Sequence, residues 1–539
     1  MITAEMINNI EEEFKKLISK SKKEEWKSLM LEGFKSSIKR MLSIIEDARK
    51  IPASSVQVEY FNNLQKDVTL VGLMISAACE AGVLSFNTET KILCLVDKLV
   101  DTDREVRYPL LKPRKRNKYS LGISDVGTIL ETMPLYFKED IQLPFPENWD
   151  MVDYIEGINE GILSIEGDIY VPIMNDFRGR IYASTDVGNY TSDKLQRHAL
   201  LIEGLPTVAL DTRSSCILLT SLLTRDNKAL KSVFTLGLKN HKVDPYKQVF
   251  KRIPELQGLE RDNQKKCVMQ YIYCGNAKVK EVCKEYKDAF VDAFASALPK
   301  SQAFREACLK AWDSNCEEYS WQLPDGFQVN QKVEKVLYEL GIQEILMEIK
   351  VNGHITNVHP NWKVPCTLQK GDNGTRSIAP NVIHSIDAYI MRELVRRCYG
   401  SFKTDLKDIK RTKNNKFSNP KAVTIYNMFK MTGMISLNIL NYLNKDDELS
   451  EEYYDAIKSI VDTLPKNRFY IKPIHDEFCC REEFREDMVN VFNQILVELY
   501  KSDYLEYVSK ELELKIKAES ISNKMVELLL ENTFLLHED

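Results

Sequence analysis

The chain has 539 residues, of which 44% are hydrophobic and 28% charged, a composition typical of a multi-domain globular protein. Its formal net charge of −5 excludes a uniformly basic protein, so any nucleic-acid groove must be a local basic surface. Twelve cysteines without a C-x-x-C pair argue against a zinc ribbon or a disulfide scaffold and favour reduced thiols in a cytoplasm-like compartment. There is no secretory signal and no run of about 18 apolar residues, so we expect no membrane span.

The N-terminal region has the periodicity of helices. Residues 1–50 predict an amphipathic helix, and residues 56–110 are also expected to be helical. The apolar positions that recur at helical spacing in the first stretch are Ile7, Ile10, Phe14, Leu17 and Ile18. A basic tract at 112–118 is interrupted by Pro113. Such a run is most often a solvated loop, and a phosphate contact beside a template channel is the alternative.

Residues 168–182 predict a strand, a turn and a second strand. Within the turn, Gly179 allows a close backbone approach, and Arg178 and Arg180 flank it. Tyr182 adds a flat face for stacking. Basic and aromatic side chains interleaved in this way suit a nucleic-acid backbone, whereas the simpler interpretation is a turn with surface arginines.

Two predicted elements place an aspartate at the end of an apolar strand. Residues 206–211 predict a short buried strand that ends at Asp211, and residues 468–481 predict a β-hairpin with His475 and Asp476 at its turn. Rigid carboxylates that meet can hold two Mg²⁺ ions about 3.5–4 Å apart, the geometry of phosphoryl transfer. Taken singly, an aspartate in a turn is more commonly a turn former.

Two helices are expected after Asp211. The first should begin near Ser214 or Ser215, which are suitable caps, and the second covers 259–275. The second helix carries four residues spaced four apart, which share one face: Arg261, Lys265, Met269 and Tyr273. Two cations one turn apart suit a triphosphate, and an aromatic ring suits the sugar or the base pair. The alternative is a solvated helix with a methionine and a tyrosine in the core.

The C-terminal half is expected to be mostly helical. Residues 380–398 predict a helix with Pro380 in its first turn. On that helix His384 and Asp387 are three residues apart, so they can touch, and the carboxylate can fix the tautomer of the imidazole. A satisfied pair inside a helical core is the alternative. Residues 403–420 are polar and are expected to be a loop or surface insertion without a buried face.

Five segments then occur in a fixed order: DFRGRIY, LDTRSSC, RDNQKKCVMQYIY, PNVIHSIDAYIMR and HDEF. Together they resemble the single-subunit RNA polymerases of phages, mitochondria and linear plasmids. That family has a D-x-x-G-R segment, a catalytic aspartate, a helix with R-x-x-x-K and a tyrosine, an H-S-x-D segment and an H-D turn. The match covers roughly residues 170–480. The resemblance implies a helix-rich α+β protein with the right-hand polymerase fold of palm, fingers and thumb.

The resemblance also implies a domain order. The expected regions are 1–160 as an N-terminal helical region and thumb, 161–258 as the first part of the palm, 259–375 as the fingers, and 376–539 as the second part of the palm with an insertion near 400–465 and C-terminal helices.

The roles that the resemblance implies are those of a nucleotidyltransferase. Asp211 and Asp476 would hold two Mg²⁺ ions. Arg261 and Lys265 would grip the phosphates of the nucleoside triphosphate (NTP), with Lys265 as a proton donor to pyrophosphate. Met269 shares their helix face and is expected at the same substrate.

The remaining implied roles concern the sugar and the nucleic acid. Tyr273 would check sugar and base geometry at the insertion site, where His384 would face the ribose or the minor groove and Asp387 would orient it. Arg178, Arg180 and Tyr182 are expected to contact the template or the hybrid. The implied partners are a DNA template, nascent RNA and NTPs, with no membrane.

The chain also departs from the family pattern. Thr212 and Arg213 follow Asp211 where the family usually has glycine and serine, and an arginine beside a metal site is unusual. Cys274 stands after Tyr273 where glycine is expected. The region before Asp176 is short, so we expect an accessory protein for promoter recognition, or a single-stranded or melted template. The expected location is the cytoplasm of a phage-infected or plasmid-bearing cell, with the mitochondrial matrix and the virion as alternatives.

Three other functions remain open from the sequence. A DNA polymerase of the Pol I family also has the H-D-E signature at His475, Asp476 and Glu477. That family blocks a ribose 2′-hydroxyl with a glutamate, and the aligned residue here is Cys216, which favours RNA synthesis. A primase-like enzyme is the second alternative. A non-catalytic nucleic-acid-binding subunit with a polymerase-like fold is the third.

Overall fold

The computed structural model describes fifteen stretches of the chain: residues 4–19, 21, 24–48, 50–52, 68–86, 92–95, 107–113, 125–138, 152–234, 244–341, 347–351, 354–358, 362–370, 376–532 and 535–537. The chain divides into two compact units. One comprises residues 1–105 and 334–373, and the other comprises residues 106–333 and 374–539. The four regions expected from the resemblance follow different boundaries and stay predictions.

The first unit contains three helices and seven strands among the described residues. These are α1 (Ala4–Ser19), α2 (Glu24–Ala48), β1 (Lys50–Pro52), α3 (Val68–Glu80), β2 (Leu84–Phe86), β3 (Ile92–Leu95), β11 (Glu334–Gly341), β12 (Met347–Val351), β13 (His354–Val358) and β14 (Trp362–Lys370). Strands β1, β3 and β2 form an antiparallel sheet in that order, while β11 pairs with β14 and β12 with β13.

The helical prediction for the N-terminus is confirmed, but as two helices. Phe14 of α1 packs against Phe34 of α2, with ring centroids 4.5 Å apart, in an apolar core that also contains Ile10. The expectation that residues 56–110 are helical is correct only for α3 and wrong for β2 and β3. Gly82 adopts a left-handed conformation (φ 71°) directly after α3, which ends the helix and sends the chain into a strand.

The second unit holds sixteen helices in the part of the chain that is described. They are α4 (Asp125–Glu131), α5 (Val152–Ser164), α6 (Lys194–Ala199), α7 (Ser215–Thr224), α8 (Asn227–Phe234), α9 (Pro245–Phe250), α10 (Arg261–Ile272), α11 (Ala277–Cys283), α12 (Lys287–Ala297), α13 (Pro299–Ala311), α14 (Ile378–Tyr399), α15 (Pro420–Thr432), α16 (Glu451–Val461), α17 (Arg485–Lys501), α18 (Tyr504–Glu511) and α19 (Asn523–Leu530).

Small sheets accompany these helices. The strands are β4 (Leu135–Phe137), β5 (Ile173–Asn175), β6 (Ile181–Ala183), β7 (Leu200–Ile202), β8 (Thr207–Thr212), β9 (Glu318–Gln322), β10 (Gln328–Lys332), β15 (Lys410–Thr412), β16 (Glu448–Ser450), β17 (Lys472–Ile474), β18 (Glu477–Arg481) and β19 (Leu536–His537). The pairs β4–β7, β5–β6 and β9–β10 are antiparallel, and β15–β16 is parallel. A four-stranded antiparallel sheet has the order β17-β18-β8-β19. The chain is therefore a helix-rich α+β protein, as predicted.

Helix α14 is buried along most of its length and carries charged side chains into the core. The guanidinium of Arg392 bonds Asp325 at 2.7 Å, and that of Arg396 bonds Asp125 at 2.6 Å. Arg397 bonds Glu498 at 2.6 Å. A buried charge is costly without a partner, so these pairs fix how α14 sits against its neighbours.

The prediction for residues 403–420 is wrong in one respect. The stretch is largely exposed, but Leu406 and Ile409 are buried in a separate apolar core with residues of α15 and α16. Leu406 begins a 3-10 turn (Leu406–Asp408) that Ile409 directly follows, and in that geometry side chains three apart lie on the same side. Phe417 is partly buried against the same core, so apolar side chains anchor this polar segment.

The basic tract lies outside the described residues except for Lys112 and Pro113. No helix among the described residues has both the length and the apolar character needed to cross a bilayer.

Candidate active site

The central sheet brings the two predicted aspartates to the same end of neighbouring strands. Asp211 on β8 lies opposite Glu477 on β18, directly beside Asp476 in the β17–β18 turn. The backbone N–H of Thr212 donates to the carbonyl oxygen of Asp476 at 2.8 Å. His475 makes the tight turn possible by adopting a left-handed conformation, with φ of 57°.

Both carboxylates line one cleft of about 140 Å³, together with three residues of α10. The lining residues are Asp211, Thr212, Arg213, Ser214, Ser215, Tyr246, Arg261, Lys265, Met269 and Asp476. The Ser215 hydroxyl donates to Oδ2 of Asp476 at 2.7 Å and so orients that carboxylate. Ser214 occupies the N-cap position of α7 but, contrary to expectation, its side chain makes no capping hydrogen bond.

The donor set of this cleft suits magnesium. Mg²⁺ prefers hard oxygen ligands and is usually bound by one or two carboxylates together with substrate phosphates. Asp211 and Asp476 supply such carboxylates from rigid strand ends, and the cleft leaves room beside them. These two residues could therefore hold the expected metal ions.

Helix α10 supplies the cations that the spacing predicted. Arg261 and Lys265 lie one turn apart and both face the carboxylates across the cleft. The Arg261 guanidinium forms an ion pair of 2.6 Å with Asp244 and lies 5.7 Å from the centre of the Tyr246 ring. Among the described residues, Lys265 forms no such pair, so its ammonium group is available to an anion in the cleft.

Tyr273 lies one residue beyond the end of α10 and faces α14. Its ring is perpendicular to the imidazole of His384, with centroids 5.0 Å apart. Burial, followed by the neighbouring Cys216 thiol, holds the pKa of the phenol well above its usual value. Tyr273 therefore stays protonated. It contacts His384, the predicted sugar-facing residue, and Cys216, which stands where a DNA polymerase would have glutamate.

The two arginines of the DFRGR turn contact α14. The Arg178 guanidinium bonds Nδ1 of His384 at 3.0 Å, and that of Arg180 bonds Asp387 at 2.7 Å. The expected contact between His384 and Asp387 is thus replaced by one arginine on each. Sequence spacing could not reveal this, because the partners are more than 200 residues away in the chain. The predicted contact of these arginines with nucleic acid stays a prediction.

Burial and these contacts together determine the protonation of His384. Burial lowers the pKa of its imidazole to about 2, and the charges of Arg180 and Arg178 act in the same direction. A guanidinium can only donate, so Nδ1 accepts and the proton of the neutral ring lies on Nε2. His384 consequently presents an N–H donor. The pKa of Asp387 shifts in the opposite direction. Burial raises the pKa of its carboxyl to about 6, although the positive charge of Arg180 lowers it.

The third predicted nucleic-acid residue, Tyr182, lies beside the aspartate turn. Its ring is 5.0 Å from that of His475, and its hydroxyl donates to Asp176 at 3.3 Å. Asp176 also bonds Arg178 at 2.6 Å and therefore ties the turn together.

A second groove, of about 380 Å³, follows the open face of the same sheet and shares Asp211 with the first cleft. Its basic lining residues are Lys138, Arg197, His198 and Lys472. No local pattern in the sequence points to these residues, and only the tertiary fold brings them together. The same groove is also lined by Asp211, Glu477 and Glu482, and the Arg197 guanidinium pairs with Glu477 at 2.8 Å, so its lining carries charges of both signs.

The departures from the family pattern have structural counterparts. Cys274 adopts a left-handed conformation with φ of 64°, the conformation that glycine would take without strain. Arg213 lines the cleft beside the aspartates. The sequence matches no protein-family model and no curated protein.

Proposed function

We propose that this chain is a single-subunit, DNA-directed RNA polymerase with palm, fingers and thumb that extends an RNA 3′ end with NTPs. One observation carries the proposal. Asp211 and Asp476, from two distant segments, line the same cleft as Arg261 and Lys265 from a third. Carboxylates facing a pair of cations are the groups that nucleotidyl transfer requires.

The residues divide the chemistry between them. Asp211 and Asp476 would hold two Mg²⁺ ions, which when bound would activate the 3′-hydroxyl and polarise the α-phosphate. Arg261 and Lys265 neutralise charge that develops on the leaving pyrophosphate, and the Lys265 ammonium has a proton to give it. The Nε2–H of His384, beside Tyr273, is a donor suited to a ribose hydroxyl.

Cys216 supports RNA over DNA synthesis, since its side chain is small and buried and cannot form the wall with which a glutamate would exclude a 2′-hydroxyl.

The test is primer extension with purified protein, Mg²⁺ and a DNA template carrying an RNA primer, with rNTPs and dNTPs offered separately. We expect rNTP incorporation to exceed dNTP incorporation. Asp211→Asn and Asp476→Asn should each lower the rate by at least about 10³-fold, since a metal ion supplies several kcal/mol to such a reaction. Template binding, followed by fluorescence anisotropy, should be nearly unchanged.

Asp262→Asn is the matched control. Asp262 is exposed on α10 and pairs with Lys266 at 2.6 Å, away from the cleft, so its variant should keep full activity. Equal or better use of dNTPs by the wild type would instead favour a DNA polymerase. Template binding without any incorporation would favour a non-catalytic subunit.

A further inference from the structure

Arg213 occupies a position that the proposed chemistry has not yet used. It follows β8 two residues after Asp211, and its backbone N–H donates to the carbonyl oxygen of Leu535 at 2.9 Å. The next residue, Ser214, is left-handed with φ of 49°, so the chain turns sharply here before α7 begins. The Arg213 side chain is half-buried and lines the cleft that holds the two aspartates.

Three cationic side chains lie around this cleft. Arg213, Arg261 and Lys265 line it against two carboxylates. The Arg213 and Arg261 guanidinium groups line the same cleft, so a polyanion bound there would be attracted by both.

Arg261 already has an anionic partner in Asp244, at 2.6 Å. Part of its charge is therefore neutralised within the protein, and a triphosphate would need further cations. A guanidinium is well suited to this, because its fork of N–H donors binds two phosphate oxygens at once.

We infer that Arg213 is a third phosphate-binding residue of this site and contacts the triphosphate of the incoming nucleotide together with Arg261 and Lys265. This inference rests on the proposed function, since it assigns a residue to the same site. It also gives a role to Arg213, which stands where the polymerases that this sequence resembles usually have a small residue.

The test compares the wild type with Arg213→Ala and Arg213→Lys, and with Arg252→Ala as the control. Arg252 is an exposed arginine whose guanidinium bonds Ser296 and the carbonyl oxygen of Gln248, and it does not line the cleft. Two quantities are measured: the NTP dependence of single-nucleotide extension, and equilibrium binding of a fluorescent NTP and of the matching monophosphate in Mg²⁺. Thermal melting checks that each variant is folded.

We expect Arg213→Ala to raise KM for the NTP and the Kd of the fluorescent NTP by about 10- to 100-fold, the loss of a charge-assisted hydrogen-bonded pair. Monophosphate binding should change far less, because the β- and γ-phosphates are absent. Arg213→Lys should recover part of the affinity, and Arg252→Ala should match the wild type.

The outcomes separate this inference from the proposed function. If the wild type extends primers but Arg213→Ala binds and uses NTPs normally, the inference fails and the polymerase proposal stands. If the wild type binds the NTP through Arg213 without extending any primer, the polymerase proposal fails and the phosphate site stands. Equal losses for NTP and monophosphate would also overturn the inference, since they indicate a general disturbance of the cleft. Absence of NTP binding by the folded wild type would end both.

Discussion

The backbone N–H of Thr212 donates a 2.8 Å hydrogen bond to the carbonyl oxygen of Asp476. Thr212 directly follows Asp211, so this bond joins the two strand ends that carry the carboxylates. The spacing of the proposed metal ligands is consequently set by backbone pairing within one sheet. Side-chain substitutions elsewhere in the cleft should alter substrate binding or proton transfer while leaving the two aspartates in place.

Lys265→Ala should slow nucleotide incorporation by about 10²- to 10³-fold, the contribution of a positioned proton donor and phosphate ligand. Lys266→Ala is the neighbouring control on the same helix. Lys266 is exposed and paired with Asp262, so its removal should change the rate less than about twofold. Rapid-quench measurement of single-nucleotide incorporation provides both rates. Similar losses in the two variants would contradict the role assigned to Lys265.

Tyr273→Phe should weaken discrimination between rNTPs and dNTPs by about tenfold, because one hydrogen-bonding group near the sugar site is lost. The measurement is the ratio of kcat/KM for a matched rNTP and dNTP. Tyr271→Phe is the control, since the Tyr271 ring packs against Phe290 and Phe294 in the core. An unchanged ratio in Tyr273→Phe would count against its contact with the sugar.

Gly179→Ala should destabilise the protein by about 2–4 kcal/mol, through positive-φ strain and displacement of a buried ion pair. Gly179 has φ of 85°, and a Cβ there would overlap the guanidinium of Arg392, which is buried against Asp325. Gly167→Ala separates the two causes. Gly167 has φ of 88° with open space around it, so only the strain of about 1 kcal/mol is expected. Denaturant unfolding measures both, and equal effects would show that the Arg392 contact contributes nothing.

Asp387→Asn should change how stability depends on pH. The carboxyl has a raised pKa of about 6 in the folded protein, above its usual 3.8, so the folded state holds the proton more tightly. The protonated Asp387 carboxyl therefore stabilises the folded state by on the order of 3 kcal/mol. This stabilisation is fully present below about pH 4 and is lost as pH rises through 6. Asparagine does not titrate, so the stability of the variant relative to the wild type should increase over this range. Parallel pH profiles of the unfolding free energy for the two proteins would refute the assignment.

Local signals in the sequence predicted much of the site. Short apolar runs that end in an aspartate predicted β8 and the β17–β18 hairpin, and the sequence also predicted α10 and, with Pro380 in its first turn, α14. The shared face of Arg261, Lys265 and Met269 followed from the pitch of a helix alone. Such features depend on residues within one or two turns of each other, so they can be derived without knowing the fold.

Other features depend on partners far apart in the chain. The pairing of Arg178 with His384, and of Arg180 with Asp387, replaced the local contact that spacing favoured. Burial decides between such contacts, because a buried imidazole or carboxylate needs a donor or a counter-charge wherever the fold supplies one. The pairing of β19 and the second groove beside Asp211 likewise arise only in the assembled sheet.

The sequence by itself determined the strand ends that carry Asp211 and Asp476 and the cationic face of α10, since each follows from local periodicity and turn chemistry, whereas the helix-rich α+β class was implied by the resemblance of its motifs to a polymerase family. Only the tertiary structure decided that these elements share one cleft, that burial together with two arginines keeps His384 neutral, and that Arg213 joins the same cavity. The physical reason is that long-range contacts are selected by burial and charge pairing across the whole fold, which no short stretch of sequence encodes.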